Sequence, residues 1–237
     1  MTIPTTSEVA ARDAEADVRP LQPGDRLTRA EFERRYAAMP QVKKAELIEG
    51  VVYMPSPVST RDHGAPHSDL MIWLGLYRVR TPGLQSADNA TIRLDLDNEP
   101  QPDAFLRISA GAGGSSHLDD DGYVTGPPEL VAEVAASSAS YDLHDKLNAF
   151  RRNGVREYVV WRTLDRAIDW FVLRDGRYER LALDGDVYKS EAFPGLWLDA
   201  KALLTGDMPR VLAALNEGLA TPPYQSFAER LASAARD

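Results

Sequence analysis

Apolar residues recur at helical spacing in several stretches of the chain, and these stretches predict its helices. The clearest is 66–80, where four apolar side chains share one face at spacings of three and four residues: Leu70, Trp73, Leu74 and Tyr77. Another helix is expected to start at Thr28, because the run T-R-A-E has the form of a capping box. Further helices are predicted over 139–153, 207–218 and 224–235.

Shorter apolar runs bounded by Gly, Pro, Asn or Asp predict the strands. They are expected at 90–96, 102–108, 129–135, 156–161, 167–173 and 177–183. The run 45–54 is predicted to form two strands that turn at Glu49-Gly50, 55–66 to be a loop, and 186–198 to close the sheet region. Strands interleaved with helices indicate one α/β domain with a mixed sheet.

Composition excludes some kinds of functional site but says little about the fold. The 237 residues are 43% hydrophobic and 27% charged, which is ordinary for a globular protein with one substantial core. There is no cysteine, so any metal must be held by carboxylate, carbonyl, imidazole or water. The net charge of −9 argues against broad electrostatic capture of nucleic acid and leaves only a local basic groove as an option.

The two ends of the chain are expected to differ from its centre. Residues 1–20 are polar and aperiodic, and we expect a disordered arm there. Residues 21–198 would form the α/β domain, and 199–237 a helical extension packed on it. The sequence has no apolar stretch long enough to span a membrane, and its N-terminus has no apolar core of signal-peptide type. A cytoplasmic location is therefore expected.

A glutamate inside an apolar strand is the most informative residue of the sequence. Five of the six residues from Leu130 to Ala135 are apolar, and the sixth is Glu133. Burying a carboxylate is costly unless a cation or hydrogen bonds compensate for the lost hydration. A protein tolerates that cost where the charge has a function, so Glu133 becomes the first candidate site residue.

Two further residues complete a constellation with Glu133. Asp103 follows a proline at the head of a strand-like run, and Lys146 flanks the apolar stripe of the helix predicted over 139–153. Carboxylates on neighbouring strands suit Mg²⁺ or Mn²⁺, and an ammonium can orient a water molecule or offset transition-state charge. Taken singly, Lys146 would more often be a surface i,i+4 partner of Asp142, and Pro-Asp commonly opens a turn.

The ordered set of motifs resembles a known family. The spans AELIEGVVYMPSP, QPDAFLRI, PPELVAEVAASSASYDLHDKLNAFRRNGVREYVVW and FPGLWLD are similar to those of the Uma-type restriction endonucleases. The resemblance implies a PD-(D/E)xK nuclease-like fold, in which helices flank a mixed central sheet. It places the family's aspartate on Asp103, its strand glutamate on Glu133, its helix lysine on Lys146 and its early glutamate on Glu46.

The chain departs from the wider nuclease pattern at one position. Those nucleases usually carry a lysine two residues after the second acid, where this chain has Ala135, so the lysine role would move to Lys146. Glu46 heads a strand and is expected either as a third metal ligand or as a solvated charge beside Lys43 and Lys44.

Two histidines precede or open the helix predicted over 66–80. His67 lies in its first turn and is expected either to contact a phosphate or to be a satisfied, partly buried side chain. His63 lies in the preceding loop and is a weaker candidate for a phosphate contact than His67.

Three functions stay open at this point. The set Asp103, Glu133 and Lys146 favours an endonuclease that hydrolyses phosphodiester bonds of DNA with Mg²⁺ or Mn²⁺ as cofactor. The acidic composition and the lack of a separate DNA-recognition domain favour a catalytically inactive nuclease-fold protein that binds or regulates. The apolar C-terminal helices alone would suggest an oligomerisation module, and we include a homodimer among the expected assemblies.

Overall fold

The computed structural model describes residues 18–54, 59–136 and 138–234. The helices are α1 (Arg29–Ala37), α2 (Ala65–Arg80), α3 (Ala139–Tyr141), α4 (Leu147–Asn153), α5 (Ala200–Thr205), α6 (Met208–Leu219) and α7 (Pro222–Ala234). Two π-helical turns adjoin them: Thr60–Gly64 leads into α2, and Asp142–Lys146 joins α3 to α4. A short 3₁₀ turn spans Ala110–Ala112.

Six strands form the central sheet: β3 (Leu84–Asp88), β5 (Ala104–Ile108), β8 (Leu130–Ala135), β9 (Glu157–Arg162), β10 (Ala167–Arg174) and β11 (Arg177–Arg180). Their order is β11-β10-β9-β8-β5-β3. Only β8 and β9 are parallel, and the other neighbours are antiparallel. Because parallel neighbours need a long crossover, the chain between β8 and β9 carries α3, the π-helical turn and α4.

Three smaller sheets lie around the central one. They are the hairpin of β1 (Glu46–Ile48) with β2 (Val51–Tyr53), the set β4 (Ile92–Arg93), β7 (Val124–Thr125) and β6 (His117–Leu118), and the pair β12 (Val187–Lys189) with β13 (Trp197–Asp199). The hairpin turns at Glu49 and Gly50, which both have positive φ, as a two-residue turn of this kind requires. A bridge between Leu47 and Glu99 ties the hairpin to the chain just before β5.

The central sheet separates two hydrophobic cores. Side chains alternate along β8, so Leu130, Ala132 and Val134 face the core that contains α2 and the C-terminal helices. Val131 and Ala135 face the second core, which contains Phe150 of α4. Glu133 has the same parity as this second pair, and its side chain therefore points toward the α3–α4 segment.

The structure confirms most of the elements predicted from periodicity. The stripe of α2 is buried as expected, α4 ends at Gly154 in the left-handed conformation, and β10 and β11 turn at Asp175 and Gly176. These features follow from residues close together in sequence, which explains why local patterns predict them.

Other expectations are wrong or incomplete. Thr28 is the N-cap of α1 as expected, but its side chain makes no capping hydrogen bond, and the Glu31 carboxylate binds Arg34 and Arg35 rather than completing a capping box. The stretch 186–198 forms a separate two-stranded sheet rather than a further part of the central sheet. Strand β3 was not predicted, because its sequence LQSAD lacks the apolar alternation of a strand.

Parts of the predicted N-terminal arm and of the predicted loop, namely 1–17 and 55–58, lie outside the described residues. At the other end, Leu203, Val211, Leu215 and Leu231 share one core with α2 and the central sheet. The division of the chain at residue 198 stays a prediction. Within the described ranges, no helix has both the length and the apolar character needed to cross a membrane.

Glu99 and Glu33, two acidic side chains beside the β1–β2 hairpin, predict that the stability of the folded protein depends on pH. Burial and the neighbouring Glu33 carboxyl raise the pKa of Glu99 to about 8. The folded protein therefore holds a proton here that the unfolded chain releases near pH 4.3, so this stabilisation is complete below about pH 4.3 and is lost as pH rises through about 8. We expect the free energy of unfolding to fall by about 1.4 kcal/mol for each pH unit of this window.

The variant Glu99→Gln tests this expectation by urea denaturation at several pH values. It should flatten the decline and be more stable than the unmodified protein at pH 8. The exposed Glu229→Gln is the matched control, and it should leave the pH profile unchanged. Parallel profiles for Glu99→Gln and the unmodified protein would contradict the assignment.

Candidate functional site

The register of the central sheet brings Asp103 opposite Glu133. Ala104 pairs with Ala132 in the antiparallel ladder of β5 and β8, so the residue before Ala104 lies across from Glu133. The Asp103 backbone N–H donates to Glu133 Oε2 at 3.2 Å, and the Val134 backbone N–H donates to Asp103 Oδ2 at 2.8 Å. Each carboxylate is thus held by the backbone of the other strand.

Lys146 reaches this pair from the π-helical turn between α3 and α4. Its ammonium donates to Glu133 Oε1 at 2.7 Å and lies 2.9 Å from Glu46 Oε1 and 3.8 Å from Asp142 Oδ1. Lys146 is only 3% exposed and Asp142 only 2%. The interpretation of these two residues as a solvated surface pair is therefore wrong.

Glu46 joins the cluster through the β1–β2 hairpin. Its Oε1 accepts a hydrogen bond from the Gln101 backbone N–H at 2.7 Å and also faces Lys146. Glu46 is 3% exposed, so the alternative of a solvated strand-end charge is wrong. Lys146 thus links the hairpin to the central sheet through two carboxylates.

The electrostatics of the cluster raise the pKa of Lys146 and of two neighbouring carboxyl groups, those of Glu133 and Asp142. Burial raises the pKa of Glu133 well above its usual value; Lys146 opposes this, and Asp103, Asp142 and Glu46 add to it. Burial alone would lower the pKa of Lys146, but the carboxylates of Glu133, Glu46 and Asp142 outweigh it and raise that pKa. Burial also raises the pKa of Asp142.

His67 and His63 border Asp103 on its other side. His67 Nε2 lies 2.9 Å from the Asp103 carbonyl oxygen and 3.2 Å from Asp88 Oδ1, so this nitrogen serves as a donor to oxygens of the protein. A phosphate contact by His67 stays a prediction and would have to use Nδ1. His63 Nδ1 lies 2.8 Å from the Val134 carbonyl oxygen, and its Nε2 lies 3.6 Å from Asp103 Oδ1.

Two residues that the sequence did not single out complete the surroundings. Lys44 Nζ lies 3.6 Å from Asp103 Oδ1 and donates to Asn89 Oδ1 at 2.9 Å. The buried Tyr141 hydroxyl has no hydrogen-bond partner among the described residues, and Lys146 Nζ lies 5.3 Å from the centre of its ring. No local sequence signal points to either residue, because both reach the cluster only through the packing of separate elements.

The carboxylate side chains are the kind of ligand that a hard divalent cation prefers, but they do not surround a complete metal site. Among the described residues, no three carboxylate or imidazole groups converge so that they could hold a metal ion by themselves. A metal held by Asp103, Glu133 and Glu46 together, as expected from the sequence, stays a prediction. Mg²⁺, however, commonly binds through one or two carboxylates and completes its shell with water and substrate phosphate. Asp103 and Glu133 are the two carboxylates that could supply such ligands, because they face one another across β5 and β8.

Comparisons with known proteins give the family from a sequence match and the fold from a solved structure. Residues 29–201 match the Uma2 family, described as "Putative restriction endonuclease". A crystal structure described as "a putative nuclease belonging to DUF820" from Anabaena variabilis ATCC 29413 has a similar fold, with a TM-score of 0.58 and 14% sequence identity. The match covers 76% of this chain and 98% of that one. Among curated proteins, none is detectably similar in sequence.

The matched span includes the hairpin, the central sheet and the π-helical turn that carries Lys146. The mixed sheet flanked by helices that the family resemblance implied is confirmed. On the extent of the match and the agreement in fold, this chain belongs to the Uma2 family, the "Putative restriction endonuclease" family.

Proposed function

We propose that the protein is a nuclease that hydrolyses phosphodiester bonds of DNA with the help of Mg²⁺ or Mn²⁺. The observation that carries the proposal is the buried contact of Lys146 with Glu133 and Glu46, at the point where Asp103 faces Glu133. Burying such a group of charges costs several kcal/mol of desolvation, and apolar side chains of similar volume would often be as stable. Charge chemistry explains why these residue types are found together.

Each side chain has a role that suits its contacts. Asp103 and Glu133 would hold the metal, which when bound polarises a phosphoryl oxygen and lowers the pKa of a bound water. Lys146 would offset negative charge that develops on the phosphate, and Glu46 would orient the Lys146 ammonium from its other side. Lys44, whose side chain is 24% exposed, is the cation beside Asp103 that an incoming phosphate could reach.

DNA as the substrate rests on the family description and on this local chemistry. With a net charge of −9, any contact with DNA should engage only a few phosphates. The slope of log affinity against log salt concentration should then be shallow, about −2 to −4. A nuclease of this kind has to share a compartment with DNA, so we keep the cytoplasmic location as part of the proposal. A homodimer stays a prediction.

One observation favours a second candidate function, a catalytically inactive nuclease-fold protein that binds or regulates. Four of the carboxylate oxygens are already engaged: Glu133 Oε1 by Lys146, Glu133 Oε2 by the Asp103 backbone N–H, Glu46 Oε1 by Lys146 and Gln101, and Asp103 Oδ2 by Val134. In that case the lysine would serve as a fixed structural counter-charge for the acids. The two functions differ in whether a divalent cation changes what the protein does to DNA.

A plasmid-nicking assay separates the two functions. Supercoiled DNA is incubated with the protein in Mg²⁺, in Mn²⁺ and in excess chelator, and relaxed and linear products are measured. We expect cleavage only with the metals, and Asp103→Asn should lower its rate by about 10²-fold or more. The control is His117→Gln, because His117 is exposed on β6, outside the cluster.

The results have distinct consequences. Equal cleavage by Asp103→Asn and the unmodified protein would show a contaminating nuclease or a different site. Salt-dependent DNA binding without cleavage in any metal would support the inactive binding protein instead.

A further inference from the structure

His63 is held with one ring nitrogen facing Asp103. It lies in the π-helical turn Thr60–Gly64, which the Ser59 side chain caps by accepting a hydrogen bond from the Asp62 backbone N–H. Such turns interrupt regular helices and are often found at functional sites. Here the turn directs His63 inward: only 15% of its side chain is exposed.

The contacts of His63 fix which nitrogen carries hydrogen. The Val134 carbonyl oxygen, 2.8 Å from Nδ1, can only accept, so Nδ1 carries the proton. In the neutral ring Nε2 then presents a lone pair toward Asp103 Oδ1. Histidines that bind metals commonly have this arrangement, in which the second ring nitrogen donates to a backbone carbonyl and sets the tautomer.

A single strand residue organises both side chains. The Val134 N–H donates to one oxygen of Asp103, and the Val134 carbonyl accepts from His63. The remaining donor atoms, Asp103 Oδ1 and His63 Nε2, are left 3.6 Å apart. That distance is too long for a hydrogen bond. Two ligands that are each about 2.1 Å from one cation lie about 3.0–3.6 Å apart for angles of 90–120° at the metal.

The charges nearby argue against a simple imidazolium–carboxylate pair. Lys44 Nζ also lies 3.6 Å from Asp103 Oδ1 and already supplies a positive charge there. A second cation at His63 would add repulsion between the two cations. Lys44 could move away from an arriving metal, because its side chain is 24% exposed and also has Asn89 as a partner.

We propose that His63 supplies a nitrogen ligand beside Asp103, so that the site takes a divalent transition-metal ion and prefers Mn²⁺ to Mg²⁺. This proposal rests on the proposed metal-dependent function and specifies its cofactor. Imidazole is a poor ligand for Mg²⁺ but suits first-row transition metals, whereas carboxylate and water suit both. The sequence offered His63 only as a loop residue, and its partner Val134 is 71 positions away.

Electron paramagnetic resonance of Mn²⁺ tests the proposal without measuring cleavage. The full chain is titrated with Mn²⁺, and binding is measured as loss of the free-ion signal. Pulsed spectra of protein labelled with ¹⁵N in histidine report any directly bound imidazole. We expect imidazole coupling in the unmodified protein, its disappearance in His63→Gln, and Mn²⁺ binding weakened about ten-fold or more in that variant. The affinity for Mg²⁺, measured by its competition with Mn²⁺, should change much less in His63→Gln.

Matched variants separate the outcomes. His144→Gln changes an exposed histidine and should leave coupling and affinity intact, and Asp103→Asn should weaken both metals. A second variant, His63→Asn, and circular dichroism spectra show whether any loss of Mn²⁺ binding in His63→Gln comes from a folding defect. If Mn²⁺ binds without imidazole coupling and His63→Gln binds it equally, the His63 proposal fails while the nuclease proposal stands. If the unmodified protein binds neither metal, both fail.

Discussion

Replacing Lys146 with methionine is expected to lower the free energy of unfolding by about 3–5 kcal/mol. Methionine preserves the apolar stem but removes the ammonium that Glu133 and Glu46 share and that Asp142 faces. Three buried carboxylates would then lack their common cation, and breaking a buried ion pair from one side is costly for this reason. Urea denaturation at pH 7.5 measures the loss.

The pH dependence of this loss identifies its cause. Without Lys146, the carboxyls whose pKa burial already raises, Glu133 and Asp142, should bind protons still more readily in the folded state. A folded state that holds more protons than the unfolded chain loses stability as pH rises, so the deficit of the variant should shrink at pH 5 and grow toward pH 8. A deficit independent of pH would point to lost packing instead.

Two further variants complete the test of Lys146. Lys43→Met removes an exposed lysine nearby and should change stability by no more than about 0.5 kcal/mol. The double variant Lys146→Met/Glu133→Gln should recover part of the loss, because one uncompensated carboxylate is gone. Under the proposed function Lys146→Met also lowers DNA cleavage by about 10²-fold or more. Intact cleavage would show that Lys146 is a structural counter-charge only.

Replacing Glu157 with alanine is the second change with a large expected effect, about 3 kcal/mol of lost stability. Glu157 is fully buried in β9 and accepts hydrogen bonds from the Ser190 hydroxyl and from the backbone N–H groups of Glu191 and Ala192. It thereby holds the turn before Phe193 against the central sheet. Removing it leaves several buried donors without an acceptor, which costs more than the lost bonds themselves.

Thermal and urea denaturation measure this effect, and a nearby acid provides the control. Glu179 on β11 is exposed, so Glu179→Ala should change stability by no more than about 0.5 kcal/mol. If Glu157 has only this structural role, the remaining folded protein should still bind Mn²⁺ as the unmodified protein does. A loss of metal binding at unchanged stability would contradict the assignment.

Glu157 also shows where the sequence argument for Glu133 was insufficient. An acid in an apolar strand is not by itself a sign of function, because Glu129, Glu157 and Asp169 are as buried as Glu133 and lie next to or within strands. Glu129 accepts from the backbone N–H groups of Ile108 and Ser115, and Asp169 is paired with Arg162 and Arg180. Burial therefore makes an acid a candidate site residue, and only the groups that contact it distinguish Glu133 from the buried acids with a structural role.

The sequence by itself determined the elements whose signals are local. The stripe of α2, the glycine that ends α4 and the turns of the two hairpins each depend on residues within a few positions of one another. The family resemblance also selected Glu46, Asp103, Glu133 and Lys146 in advance, and the structure brings these four residues together.

The tertiary structure alone decided which donors face one another. Lys44 and His63 reach Asp103, and Asp142 faces Lys146, from three different segments. Their distances follow from strand register, from the π-helical turns and from how the hairpin packs beside β5. Spacing along the chain carries no information on such contacts, because ion-pair partners such as Glu46 and Lys146 are 100 positions apart. Burial then raises the pKa of Glu133 and of Asp142, since water is excluded only once the whole fold has closed around them.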